Sequence, residues 1–143
     1  MHITRSLFRP FAALIVSMAC LTSPATADKA DTGMTTIRGQ LFYRERIAPL
    51  PDSIATITLN DVSRADAPAV RVAQLTLPAD RIPVSFSMGI STDRLKDRSR
   101  YVVRGTITDP DGALLWNTDT AYVVEVANDV NDLGMMRLMQ VAR

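Results

Sequence analysis

Histidine and cysteine are almost absent from this chain of 143 residues. There is one of each, His2 and Cys20, and both fall in the first twenty positions. That stretch reads as an export signal. Once it is removed, the working protein has no imidazole, and either no thiol or one consumed by a membrane anchor. A Ser-His-Asp arrangement then lacks its base, and zinc sites of the usual Cys/His kinds lack their ligands. A membrane-spanning run is missing as well. Phe11 to Leu21 (FAALIVSMACL) is about half the roughly 20 apolar residues that a spanning helix needs, and Pro24 follows it. Charge of one sign is not in excess either. Sixteen Lys and Arg stand against fifteen Asp and Glu, a formal +1 that becomes −1 when Arg5 and Arg9 leave with the signal. That balance does not fit a nucleic-acid partner or an anionic membrane surface.

What is present at the N-terminus has the order of a removable signal. Arg5 and Arg9 form a positive region, and no acidic residue precedes Asp28. The apolar core comes next, and Ala25-Thr26-Ala27 fits the small-x-small cleavage pattern. Cys20 opens a second reading. Bacterial lipoproteins are cut just before a cysteine that closes the apolar core and then carries lipid. Met18-Ala19-Cys20 has the small residue such a cut needs, although Ser17 stands where a bulky aliphatic is usual. Cleavage after Ala27 and lipidation at Cys20 are therefore both open. If Cys20 is discarded, the mature chain forms no internal disulfide and stability rests on its core.

Beyond the signal (1–27), residues 28–35 are polar and aperiodic and read as a flexible tether. Residues 36–143 have the size of one domain with a core of its own. Their periodicity is that of β-strands. Val84, Phe86, Met88 and Ile90 alternate with Ser85, Ser87 and Gly89. Ala55, Ile57 and Leu59 alternate with Thr56, Thr58 and Asn60, and Tyr101 to Thr108 repeats the pattern. Further strands are predicted over Ile37–Tyr43, Ala69–Leu77, Ala113–Asn117, Ala121–Val126 and Met135–Val141. The apolar parity switches within Ala69–Leu77, which a bulge or an edge position accounts for. Asp109-Pro110-Asp111-Gly112 is a tight-turn sequence, Asn128–Asp132 a longer loop, and Ser91–Arg100 a solvated crossover. Seven to eight short strands so punctuated argue for a sandwich or small barrel. The expectation is an all-β fold, a single antiparallel β-sandwich of Ig-like or Greek-key type.

Few residues point to chemistry. Asp109 and Asp111 faintly suggest a calcium loop but lack its downstream ligands; a hairpin turn uses the same residues. Asp61 and Asp66 are a carboxylate pair without an evident cleft, better suited to capping a loop. Arg44-Glu45-Arg46 is either a salt-bridged strand end on a solvated surface or a docking patch for an acidic partner segment. Trp116 reads as a core aromatic. Met135, Met136 and Met139 crowd the last strand, where adaptable thioethers serve a core or a binding edge. No catalytic residue, cofactor or metal is expected.

Three blocks carry a family likeness: Tyr43–Ala69 (YRERIAPLPDSIATITLNDVSRADAPA), Ile82–Met88 (IPVSFSM) and Arg100–Val126 (RYVVRGTITDPDGALLWNTDTAYVVEV). In order and spacing they resemble the YbaY-like envelope lipoproteins of Gram-negative bacteria, a family that also takes in the type III secretion pilot protein YscW. The likeness extends over nearly all of Ile37–Val141. Pro49-Leu50-Pro51 stands where the family usually has Leu-Pro-Pro. The resemblance implies one β-sandwich domain at the periplasmic face of a membrane, anchored through Cys20 if at all. It offers no catalytic residues. A non-enzymatic protein acting on envelope proteins through contacts, pilot-like in one branch of the family, is the expected function. Arg44, Arg46, Met135 and Met139 are the expected contact residues. A small-molecule or lipid-binding module of the periplasm is the alternative.

Overall fold

Alternation of β-branched and aromatic residues with Thr, Ser and Arg gives each strand one face to bury, and the strands bury those faces against one another. The computed structural model describes residues 33–142. The proposed cleavage site Ala25 to Ala27 and the lipidation candidate Cys20 lie outside them. Eight strands follow in order: β1 (Met34–Phe42), β2 (Ile54–Asp61), β3 (Val70–Pro78), β4 (Val84–Ser91), β5 (Tyr101–Thr108), β6 (Leu114–Thr118), β7 (Tyr122–Val124) and β8 (Val130–Gln140). A single 3₁₀ turn, Thr92–Arg94, interrupts the Ser91–Arg100 crossover, with Leu95 buried behind it.

The strands form one continuous sheet in the order β3-β2-β5-β6-β8-β1-β4, with β7 added beside β6 on the same edge of β5. The all-β class agrees with the sequence. The arrangement differs from the two-sheet antiparallel sandwich expected from it, because the sheet curls into a nearly closed, barrel-like form. The cause is β8. Its first part pairs parallel with β1, from Thr36↔Val130 to Phe42↔Arg137, whereas its last residues pair antiparallel with β6, from Trp116↔Gln140 to Thr118↔Leu138. One strand thus joins both halves of the molecule.

β8 also begins five residues before the predicted strand, inside what reads as a loop. Asn131 explains how so polar a sequence enters a strand. It is buried, and its side chain accepts from the Glu125 N–H (2.9 Å) while donating to the Glu125 and Asn128 carbonyls (3.0 and 3.3 Å). A buried amide with its bonds satisfied carries no desolvation penalty of the kind an orphan would. The next residue, Asp132, pairs with Arg38 on β1 at 3.0 Å. A bulge then falls opposite Arg38 and Gln40, where Gly134 takes positive φ (+61°).

The core runs between the two halves: Ile37, Leu41 and Met136 on one side, and Ala55, Ile57, Leu59, Val103 and Ile107 on the other. Packing there is close. A Cβ placed on Gly105 of β5 would collide with the Leu41 side chain across the core. The parity switch in β3 has both of its anticipated causes. The register shifts beside Leu59 and Asn60, skipping Val72, and β3 ends the sheet. The other end of the sheet is β4.

Candidate functional site

Where β1 ends, the chain does not return at once along the sheet. Tyr43 is buried and lays its ring flat on Trp116 of β6, with centroids 4.1 Å apart and planes 5° from parallel. Trp116 is thus the core aromatic its sequence context implies. The Tyr43 hydroxyl donates to the Ile47 carbonyl at 2.8 Å, which arches residues 44–51 over the end of the barrel. Burial, and secondarily the Glu45 carboxylate, push the Tyr43 phenol above its ordinary pKa of 10.0, so it stays a donor. The arch closes through a turn in which Ser53 N–H meets the Leu50 carbonyl (3.2 Å), with Pro51 leading and Asp52 at φ +59°.

Under the arch lies a cavity of about 130 Å³, lined by Tyr43, Ile47, Leu50, Ser53, Leu115 and Trp116 among others. It opens into a wider groove of about 510 Å³ between Leu50, Leu115, Gln140, Val141 and Ala142. Ile47 and Leu50 stand 56% and 49% exposed at its rim, and Leu114 39% exposed on the neighbouring strand. Arg44 and Arg46 are exposed on the same arch. Neither makes an ion pair among the described residues, so the salt-bridged strand end is not what forms here.

Unsatisfied polarity gathers at this end too. Among the described residues, three buried side-chain atoms have no hydrogen-bond partner: Glu45 Oε2 on the arch, Ser53 Oγ at its foot, and Arg137 Nε, whose residue pairs in register with Phe42 just before it. Buried polar atoms are otherwise almost always paired, because leaving one unpaired costs about 1–3 kcal/mol. An apolar cavity, two unpaired cations and three orphaned polar atoms therefore share one end of the molecule.

The other candidates fall elsewhere. Met136 is fully buried in the core and Met139 half-buried, while Met135 is 58% exposed on the outer face of β8. There Met135 borders a shallow hollow of about 460 Å³ with Arg38, Gln40, Phe86 and Asp132, apart from Arg44 and Arg46. Asp61 caps its loop, accepting from the Ser63 N–H (2.9 Å) and the Ser63 hydroxyl. Those bonds, the hydroxyl's first, hold its pKa below 3.8. Asp66 is exposed. Asp109 accepts from the Ala113 N–H (2.8 Å), and Gly112 takes φ +86°, which makes Asp109–Gly112 a hairpin turn. No group of three or more metal-ligating side chains occurs among the described residues, and no helix there is long and apolar enough to cross a membrane.

The molecule is thus a small barrel-like all-β domain with a basic and apolar arch at one end. Residues 32–135 match the family described as the type III secretion system lipoprotein chaperone (YscW), and the chain belongs to that family. It is 29% identical over 109 residues to the uncharacterized lipoprotein YbaY of Escherichia coli, covering 74% of this chain and 57% of that protein's length. Among solved structures it is similar to an alternative pilotin from the type II secretion system of Vibrio cholerae. That similarity has a TM-score of 0.69 and 33% identity over 77% of this chain and 99% of the pilotin.

Proposed function

We propose that this protein is a non-enzymatic accessory factor of the bacterial envelope, pilot-like in action, which holds a short segment of a secretion-related envelope protein beneath and beside the Arg44–Pro51 arch. The observation that carries this reading is the coincidence at one end of the barrel of exposed Ile47 and Leu50, unpaired Arg44 and Arg46, and the orphaned Glu45 and Ser53 atoms. The chemistry selects the segment. An apolar anchor side chain fits the cavity, a hydrogen-bonding group on it meets Ser53 Oγ, and acidic residues alongside answer the two arginines. Family membership and likeness to a pilotin support the same role. In this reading the protein is exported and periplasmic, either anchored through lipid on Cys20 or soluble after cleavage at Ala27.

The interior between the sheet halves is filled by Ile37, Leu41, Ile57 and Val103, so ligand storage inside the barrel has no comparable support. A photo-crosslinking residue at Leu50, in the protein's own host, tests the proposal. The expected adduct contains a secretion-machinery protein of the envelope, and Arg44→Glu with Arg46→Glu reduces it at least about tenfold, as expected for loss of close charge pairs. No adduct at Leu50, or the same adducts from a crosslinker at exposed Thr76 on β3, would overturn it.

A further inference from the structure

The size and chemistry of the cavity under the arch narrow what it takes. Its volume is about 130 Å³. A dry apolar cavity of about 150 Å³ is enough to hold benzene, so this one has room for a single aromatic ring. Its walls are apolar and partly aromatic, with the stacked Tyr43 and Trp116 rings, Pro49, Ile107 and Leu115. Such walls meet a ring by offset or edge-to-face contact, which an aliphatic side chain does not offer. No charged residue among those described lines the cavity, and Arg44 and Arg46 are exposed outside it on the arch. A carboxylate or an ammonium would be buried there without a counter-charge, which is strongly unfavourable.

Ser53 adds a demand that an apolar ring leaves unmet. It lines the cavity and is 1% exposed, and its Oγ has no hydrogen-bond partner. Its backbone is fixed on both sides: the N–H donates to the Leu50 carbonyl (3.2 Å), and the carbonyl accepts from the Ala79 N–H (2.8 Å). Tyr43, the other hydroxyl in the lining, already donates to the Ile47 carbonyl. A leucine or phenylalanine side chain would occupy the space and leave Ser53 unpaired. A serine or threonine would pair with Ser53 and leave most of the space unfilled. A carboxamide brings two donors and an acceptor to a single hydroxyl. A phenol meets both demands, because its ring takes the volume and its hydroxyl both donates and accepts. We infer that the cavity is a phenol site, and that the segment held at the arch is anchored there by a tyrosine side chain. This rests on the arch being the partner site and adds the identity of the anchor.

Two small probes test it on the purified mature chain: p-cresol, which is the tyrosine side chain as a free molecule, and toluene, which lacks the hydroxyl. Amide NMR titrations should show saturable p-cresol shifts confined to residues 43–53, 107 and 115–116. p-Cresol should bind at least as tightly as toluene, although its hydroxyl has to leave water. Ser53→Ala should keep toluene binding, which shows the cavity intact. It should lower the preference for p-cresol about fivefold, the worth of one net hydrogen bond. Binding of neither probe, shifts centred elsewhere, or tighter binding of toluene by the parent would each overturn the phenol site. So would a p-cresol preference that Ser53→Ala leaves unchanged, and the parent comparison decides if that variant fails to fold. A Leu50 adduct formed by a protein that takes no p-cresol overturns the tyrosine anchor and leaves the arch reading in place. Binding of p-cresol without any Leu50 adduct keeps the phenol site and removes the partner segment, and the tyrosine with it.

Discussion

Tyr43 does two separable jobs at the end of the barrel, and its two halves can be removed one at a time. The ring packs on Trp116, and the hydroxyl holds the Ile47 carbonyl. Tyr43→Phe keeps the stack and loses one neutral hydrogen bond, a cost of about 1 kcal/mol. Tyr43→Ala also empties a buried aromatic site, so a loss of about 3–5 kcal/mol is expected. Trp116 is the only tryptophan of the chain, so its fluorescence reads this neighbourhood directly in denaturant titrations. Tyr43→Phe should leave the native emission unchanged, and Tyr43→Ala should shift it. If Tyr43→Phe proves as costly as Tyr43→Ala, the hydroxyl and not the stack is the main tie. Because the arch hangs from that hydroxyl, Tyr43→Phe should also weaken partner capture at Leu50 more than its stability cost alone would account for.

Among the elements, β8 depends on charge as well as packing. The Gly134 N–H, and then the Arg38 guanidinium, hold the exposed Asp132 carboxyl below its ordinary pKa of 3.8. A carboxyl with a lowered folded pKa contributes stability that is complete above its unfolded value. That contribution falls away as pH drops from about 3.8 through the folded value. Asp132→Asn still accepts from Gly134 but cannot pair with Arg38. The variant should therefore melt lower than the parent at pH 7, and the gap should narrow progressively as pH falls below about 3.8. A gap unchanged at low pH would mean that the loss is steric and not ionic. This strand is also where sequence reading stopped short. Alternation marked β2, β4 and β5 almost to the residue, because each buries one face locally. Asn131, Asp132 and Gly134 look like loop residues, and what makes them a strand is distant: Glu125 and Asn128 for the amide, Arg38 for the carboxylate. The site divides in the same way. The Arg44-Glu45-Arg46 triplet is visible as a charged block, but the cavity is not, since Ser53 reaches it from the turn before β2, Leu115 and Trp116 from β6, and Gln140 from β8. Counting methionines put Met135, Met136 and Met139 together, and β alternation sends Met135 outward and Met136 into the core.

For the whole molecule, the shared strand decides how the fold comes apart. Two independently closed sheets could separate stepwise, whereas here β8 pairs with β1 through most of its length and with β6 at its end. Met136 sits in the first of these regions, fully buried and in register with Leu41, which itself packs against Gly105 of the opposite half. Met136→Ala removes buried volume at that junction and should cost about 2–5 kcal/mol. The loss should appear everywhere at once. Trp116 fluorescence, which reports the β6 half, and far-UV circular dichroism, which reports all strands, should shift to the same lower midpoint with an unchanged denaturant slope. If the two midpoints separate in the variant, the β1–β4 side melts before the β2–β5 side, and β8 links the halves in the sheet without coupling them in energy. Coincident midpoints would mean that a load applied to either half, including a partner segment bound at the arch, is carried by the entire barrel.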